Sequence, residues 1–224
     1  MRIVAFDIGE LNFAYCVLTA LDESTYHMCL QTTAEAIGDG RIVIEDWCVR
    51  PLSSLRRPSL QQVLDGVVSV AQTMSEVLAL ADVVVIEQQM KARMKQIGAC
   101  LFGIVRALAP RARVEIQSAS LKLAFGDAGS FVPAASWPAT TYSRRKTAAI
   151  HIARMLVARS DPGNQRLYAS CKKKDDRADS LLHALAALAT YNKPVGVAAR
   201  GGVRTPCPKR KRTAASNSAV DLQT

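Results

Sequence analysis

Apolar residues gather in short unbroken runs through the first half of this chain and recur at helical spacing between and after them, a pattern that predicts a mixed α/β fold. Residues 2 to 9, Arg-Ile-Val-Ala-Phe-Asp-Ile-Gly, read as a largely apolar strand with one carboxylate, Asp7, near its end. Gly9 and Asn12 permit a tight reversal into a second run, Phe13 to Ala20, and residues 41 to 50 predict a third strand. Asp82-Val83-Val84-Val85-Ile86-Glu87 is a continuous Val/Ile run of the kind buried on both faces of a parallel sheet, and it too ends in an acid. Arg113 to Gln117 predicts a short fifth strand. Helical spacing marks Leu60 to Leu80, which follows the Pro58-Ser59 start signal, then Met90 to Leu108 and Ser143 to Arg159. In the second of these, Ile97, Leu101, Ile104 and Leu108 form one stripe, to be read either as core or as a subunit interface.

The last strongly patterned stretch carries chemistry. Lys172-Lys173-Lys174-Asp175-Asp176-Arg177-Ala178-Asp179 leads into Leu181, Leu182, Leu185 and Leu188, so Asp176 and Asp179 share a helix face that the leucines anchor from behind. Like charges at that spacing repel by a few tenths of a kcal/mol, and a cation would relieve them; the bland alternative is an acidic first turn that complements the helix dipole. A carboxylate on a buried strand also needs a partner, because an unpaired charge in a core is costly. Two strands ending in acids and one helix opening with acids can therefore bring Asp7, Glu87, Asp176 and Asp179 together as an all-oxygen site, which suits magnesium or manganese better than zinc. His183 follows Asp179 by four residues on the same face and reads either as an ordinary, partly buried histidine or as a group that supports the acids or contacts a phosphate.

Composition sharpens this picture. The 224 residues, 49% hydrophobic, suffice for one full core. Twenty-nine Lys and Arg against 19 Asp and Glu give a net charge of +10, and basic charge around an acidic pocket is what a phosphodiester substrate calls for. Arg144, Arg145 and Lys146 fall in the first turn of a predicted helix, where cations oppose the dipole, so they and Lys172, Lys173 and Lys174 are candidates for phosphate contact. Cys16, Cys29, Cys48, Cys100, Cys171 and Cys207 match no zinc or CxxC spacing and are expected to be reduced thiols. No run reaches the ~20 apolar residues of a membrane span, and the first strand begins without a charged-then-apolar leader. The expectation is a soluble, intracellular protein, with nucleus, mitochondrion and viral replication site not separable. From Pro194 onward Gly, Pro, Ser and Thr accumulate around Lys209-Arg210-Lys211-Arg212. Residues 1 to 193 are thus expected to form one domain, and 194 to 224 a basic, disordered tail that grips DNA, serves as a nuclear address, or only solubilises.

Taken together, Asp7-Ile8-Gly9, Ile86-Glu87-Gln88, Ser120-Leu121-Lys122-Leu123, Arg144-Arg145-Lys146-Thr147-Ala148 and Lys173-Lys174-Asp175-Asp176-Arg177-Ala178-Asp179-Ser180-Leu181-Leu182-His183 resemble, in this order, the RuvC-like Holliday-junction resolvases of the poxvirus and fungal mitochondrial type. The resemblance spans Arg2 to Tyr191. It implies a ribonuclease H-like α/β fold, a mixed five-stranded sheet with its first three strands antiparallel and helices on both sides. It implies four acidic ligands at Asp7, Glu87, Asp176 and Asp179 for two Mg²⁺ ions (or Mn²⁺), with Asp175 as a competitor for the third place or as a helix cap. Lys122 and Lys146 fall on the family's basic catalytic or phosphate-contacting positions. Met90 falls where bacterial members place an aromatic residue that packs into the opened junction. The implied activity is a homodimeric endonuclease that resolves four-way DNA junctions by paired symmetric nicks, with the metal ions about 4 Å apart. Alternatives are a related nuclease acting on other branched DNA or on RNA, a noncatalytic junction-binding protein on the same fold, and an actin-like ATPase; the last would need a second glycine-rich loop, for which residues 126 to 129 are the only candidate. The longer stretch from Asp127 to Tyr142 has no legible role.

Overall fold

In a computed structural model, which describes residues 1–21, 30–121 and 141–191, the apolar runs form one five-stranded sheet in the order β3-β2-β1-β4-β5. The strands are β1 (Arg2–Ile8), β2 (Asn12–Ala20), β3 (Ile42–Pro51), β4 (Val83–Glu87) and β5 (Arg113–Gln117). β1, β2 and β3 pair antiparallel, while β1, β4 and β5 run parallel. This is the mixed sheet expected, with its first three strands antiparallel. The reversal after β1 takes three residues, closed by Gly9 N–H donating to Asn12 O at 2.8 Å.

Helices cover both faces. α2 (Leu60–Thr73), α3 (Ser75–Ala79) and α4 (Ala92–Leu108) lie on one side, over Val4, Phe6, Ile8, Val84 and Ile86. α1 (Leu30–Gly38), α5 (Thr141–Val157), α6 (Pro162–Ser170) and α7 (Lys174–Tyr191) occupy the other, α5 and α7 closing over Ile3, Ala5, Val83 and Val85. Strand alternation divides the two sets, since successive side chains point to opposite faces. The described residues belong to one compact unit, Met1–Lys193.

Three elements differ from the sequence expectation. The helix expected over 60 to 80 is broken at Met74, which leaves helical dihedrals at φ −101° and ψ 8°; its start is a capping box between Ser59 and Gln62. α1 and α6 are nine-residue helices too short to build a periodic stripe, although the Asp161-Pro162 pair at the start of α6 is a recognisable cap. The stripe on α4 runs through Met94, Ile97, Leu101 and Val105, with Ile104 and Leu108 only partly buried. Ile97 and Leu101 are fully covered within this chain, against α2 and the sheet. Cys16, Cys48, Cys100 and Cys171 are free thiols. Among the described residues no helix is long and apolar enough to cross a membrane.

Candidate active site

Asp7 and Glu87 become neighbours through strand register. β1 and β4 are adjacent and parallel, their last paired positions are Phe6 and Ile86, and each acid is the next residue along. Two residues earlier on each strand, Ala5 and Val85 belong to the core beneath α7. Alternation therefore turns both carboxylates toward α7. Asp7 is half-buried, and the Glu87 side chain retains 11% of its exposure.

α7 supplies the other half. Buried on nearly every side from Arg177 to Ala189, it sits between the sheet and α5. Its opening turns are held by a buried knot: Trp47 of β3 donates from Nε1 to Arg177 O at 2.8 Å, and Arg177 donates to Leu167 O at 2.6 Å. The Arg177 guanidinium lies 5.4 Å from the Trp47 ring centroid, and Tyr168 stacks on that ring at 5.3 Å. Farther along, His183 Nε2 stands 3.5 Å from Glu87 Oε1, which fixes α7 over the carboxyl end of β4. Asp179 and Asp176 precede His183 by four and seven residues, on the same side of the helix.

The acids of α7 sense one another. Burial, followed by the charge of Asp175 and more weakly that of Asp179, pushes the Asp176 carboxyl above its ordinary value, against partial relief from Lys173 and Lys146. Burial also raises Asp175, but Lys146 outweighs it: Nζ donates to Asp175 Oδ2 at 2.6 Å and holds that carboxyl below the usual range. Lys146 thus meets the extra acid of the motif, and Asp176 is the carboxylate of the pair whose proton affinity is raised. On the exposed rim stand Lys172, Lys173, Lys174, Arg144 and Arg145. Met90, 79% exposed, lies in the turn between β4 and α4. Lys122 lies outside the described residues, as do the Gly126 to Gly129 loop, most of the 127 to 142 stretch and the tail from 194.

The donor set fits a hard divalent cation in kind: carboxylate oxygens, with one member held at a raised protonation tendency by its neighbours. Among the described residues no three His, Cys, Asp or Glu side chains close to the spacing an ion would impose. Sequence patterning did not single out Gln117, whose side chain meets His183 Nδ1 at 2.6 Å, and it placed His183 as partly buried where the structure buries it completely. Their contact spans 66 residues of sequence, which no periodicity reports.

No family model matches this chain, and no curated protein matches it by sequence. Among the solved structures that resemble it are two resolvases. The fowlpox virus resolvase, determined in complex with its substrate Holliday junction DNA, aligns at a TM-score of 0.55 and 16% identity over 85% of this chain and 99% of that one. The yeast mitochondrial Holliday junction resolvase aligns at 0.57 and 16% identity over 84% of this chain and 79% of that one. The chain has the ribonuclease H-like fold of these two enzymes.

Proposed function

We propose that this chain is a metal-dependent endonuclease that resolves four-way DNA junctions. What supports this reading is the register that sets Asp7 and Glu87 side by side at the carboxyl ends of β1 and β4, with the acid-bearing helix α7 over β4, on a fold shared with two junction resolvases. Fold alone does not specify activity; the acid set within it is what favours hydrolysis over simple binding.

In this reading Asp7, Glu87, Asp176 and Asp179 would hold two Mg²⁺ or Mn²⁺ ions, which when bound would supply water activation and charge neutralisation for phosphodiester hydrolysis. The remaining work belongs to the chain. Glu87 and Asp7, on rigid strands, set the position of the site. Lys146 balances Asp175 until a scissile phosphate offers a better anion, and it then offsets charge on the phosphoryl oxygens together with Lys122. Lys172, Lys173, Lys174, Arg144 and Arg145 hold the flanking phosphates, and Met90 presents an apolar surface to an unstacked base. A homodimer would place two such sites on one junction and give paired nicks.

A cleavage assay tests the reading on synthetic four-way, flap, linear duplex and RNA/DNA hybrid substrates in magnesium, comparing the wild type with Asp7→Asn and Asp179→Asn. The expected result is preferential nicking of the four-way junction, lost in both variants. Equal cutting of linear duplex would end the junction assignment while sparing the nuclease, and full activity in both variants would end the site. Tight junction binding without cleavage in either metal would leave a noncatalytic binder.

A further inference from the structure

Behind Glu87 lies a buried pair of side chains that the proposed chemistry does not use. Gln117, at the end of β5, is 4% exposed and His183, on α7, is 0% exposed. His183 Nδ1 stands 2.6 Å from Gln117 Oε1, while Nε2 stands 3.5 Å from Glu87 Oε1 and has no hydrogen-bond partner. A polar atom buried so completely without a partner is rare in a folded protein. It is aimed at one of the candidate ligands.

The proton positions follow from these contacts. A ring protonated only on Nδ1 would turn the Nε2 lone pair toward a carboxylate, setting two acceptors against each other. Turning the Gln117 amide so that its NH₂ donates to Nδ1 removes the conflict and leaves the ring proton on Nε2, directed at Glu87. On the far side of the same carboxylate, Gln89 Nε2 approaches Oε2 at 3.4 Å.

We propose that His183 is a positioning residue: braced by Gln117, it donates from Nε2 to Glu87 Oε1 and fixes that carboxylate in the orientation that receives a divalent cation. The inference rests on the reading of Glu87 as a ligand. Supporting hydrogen bonds of this kind alter metal affinity by about 10- to 100-fold when removed.

The test is calorimetric titration of the full chain with Mn²⁺, accompanied by thermal melts and by the Mg²⁺ dependence of junction cleavage, for the wild type, Glu87→Gln, His183→Leu, His183→Gln, Gln117→Leu and the His183→Leu/Gln117→Leu double variant. His183→Leu and Gln117→Leu should each weaken Mn²⁺ binding by about 10- to 100-fold. The double variant should lose little more than the worse single one, His183→Gln should regain much of the affinity, and excess Mg²⁺ should restore cleavage. Loss of packing alone would lower the melting temperature without moving the metal dependence. If His183→Leu does not fold, Gln117→Leu and His183→Gln decide the matter. Folded variants that bind Mn²⁺ within about twofold of wild type, where Glu87→Gln binds poorly, would overturn the role of His183 and leave the metal site standing. Wild-type binding that Glu87→Gln does not weaken would remove Glu87 as a ligand, and this inference with it.

Discussion

Asp175 and Asp176 are adjacent in sequence and indistinguishable by pattern, yet the structure gives them different surroundings. Asp175 is engaged by Lys146 at 2.6 Å; Asp176 is raised by burial and by its acidic neighbours. A carboxylate pushed up by burial and by acidic neighbours is one a cation stabilises, so Asp176 is the expected ligand. Asp176→Asn should then lower junction cleavage by at least about 100-fold, the scale of the several kcal/mol a metal ion supplies. Asp175→Asn should lower it by less than about 10-fold, because it removes a brace on Lys146 and not a ligand. Single-turnover cleavage of a four-way junction measures both, and the reverse order would hand the ligand role to Asp175. The sequence narrowed the third acid to two neighbours. It could not choose between them, because the choice depends on an ion pair across 29 residues.

At the scale of elements, two substitutions probe what positions the site. A methyl group added at Gly66 of α2 would stand 2.0 Å from the Leu52 carbonyl oxygen, with the Leu52 C at 2.9 Å. Ala ordinarily improves a helix by about 1 kcal/mol over Gly, but here backbone blocks the space. Gly66→Ala should therefore destabilise the protein by about 1–3 kcal/mol, the usual cost of overpacking. Leu52 N–H also bonds Leu11 O at 2.9 Å, so the strain reaches the β1–β2 turn beside Asp7. Urea unfolding measures the change, and unaltered or increased stability would mean that α2 shifts freely. Asp161 caps α6 by accepting from Gly163 N–H at 2.8 Å and Asn164 N–H at 3.0 Å. The Asn164 N–H is the main reason its carboxyl lies below the ordinary aspartate value, with burial opposing it weakly. A depressed carboxyl stabilises the fold above its unfolded pKa and loses that contribution as pH falls through the folded one. Asp161→Ala should cost about 1 kcal/mol at neutral pH and distinctly less near pH 3. Because the group is exposed, cap geometry supplies more of this than charge. An equal penalty at both pH values would assign the whole effect to geometry. The Asp-Pro start of α6 was present in the sequence but had no apolar stripe behind it to announce a helix, whereas the long Val/Ile run of β4 needed nothing else.

For the whole molecule, net charge is the property that bears on the proposed DNA substrate. The chain carries +10 overall, and Lys172, Lys173 and Lys174 stand exposed immediately before the acids of α7. If all three hold phosphates, replacing them with Gln should flatten the dependence of junction affinity on salt, reducing the slope of log K against log[salt] by about 2 to 3. Fluorescence anisotropy over a range of KCl concentrations reads this directly, and an unchanged slope would place the DNA elsewhere. The order of the strands and of the longer helices, the acid at the end of each central strand and the acidic opening of the last long helix followed from the sequence, because apolar periodicity is a local consequence of which face is buried. What each charged group meets was decided only in three dimensions. Lys146 faces Asp175, Trp47 secures Arg177 across 130 residues, and His183 bridges Gln117 and Glu87. Electrostatic and hydrogen-bond partners are chosen over a few ångströms, and contacts that short between distant segments exist only once the sheet has set its register and α7 has packed across it.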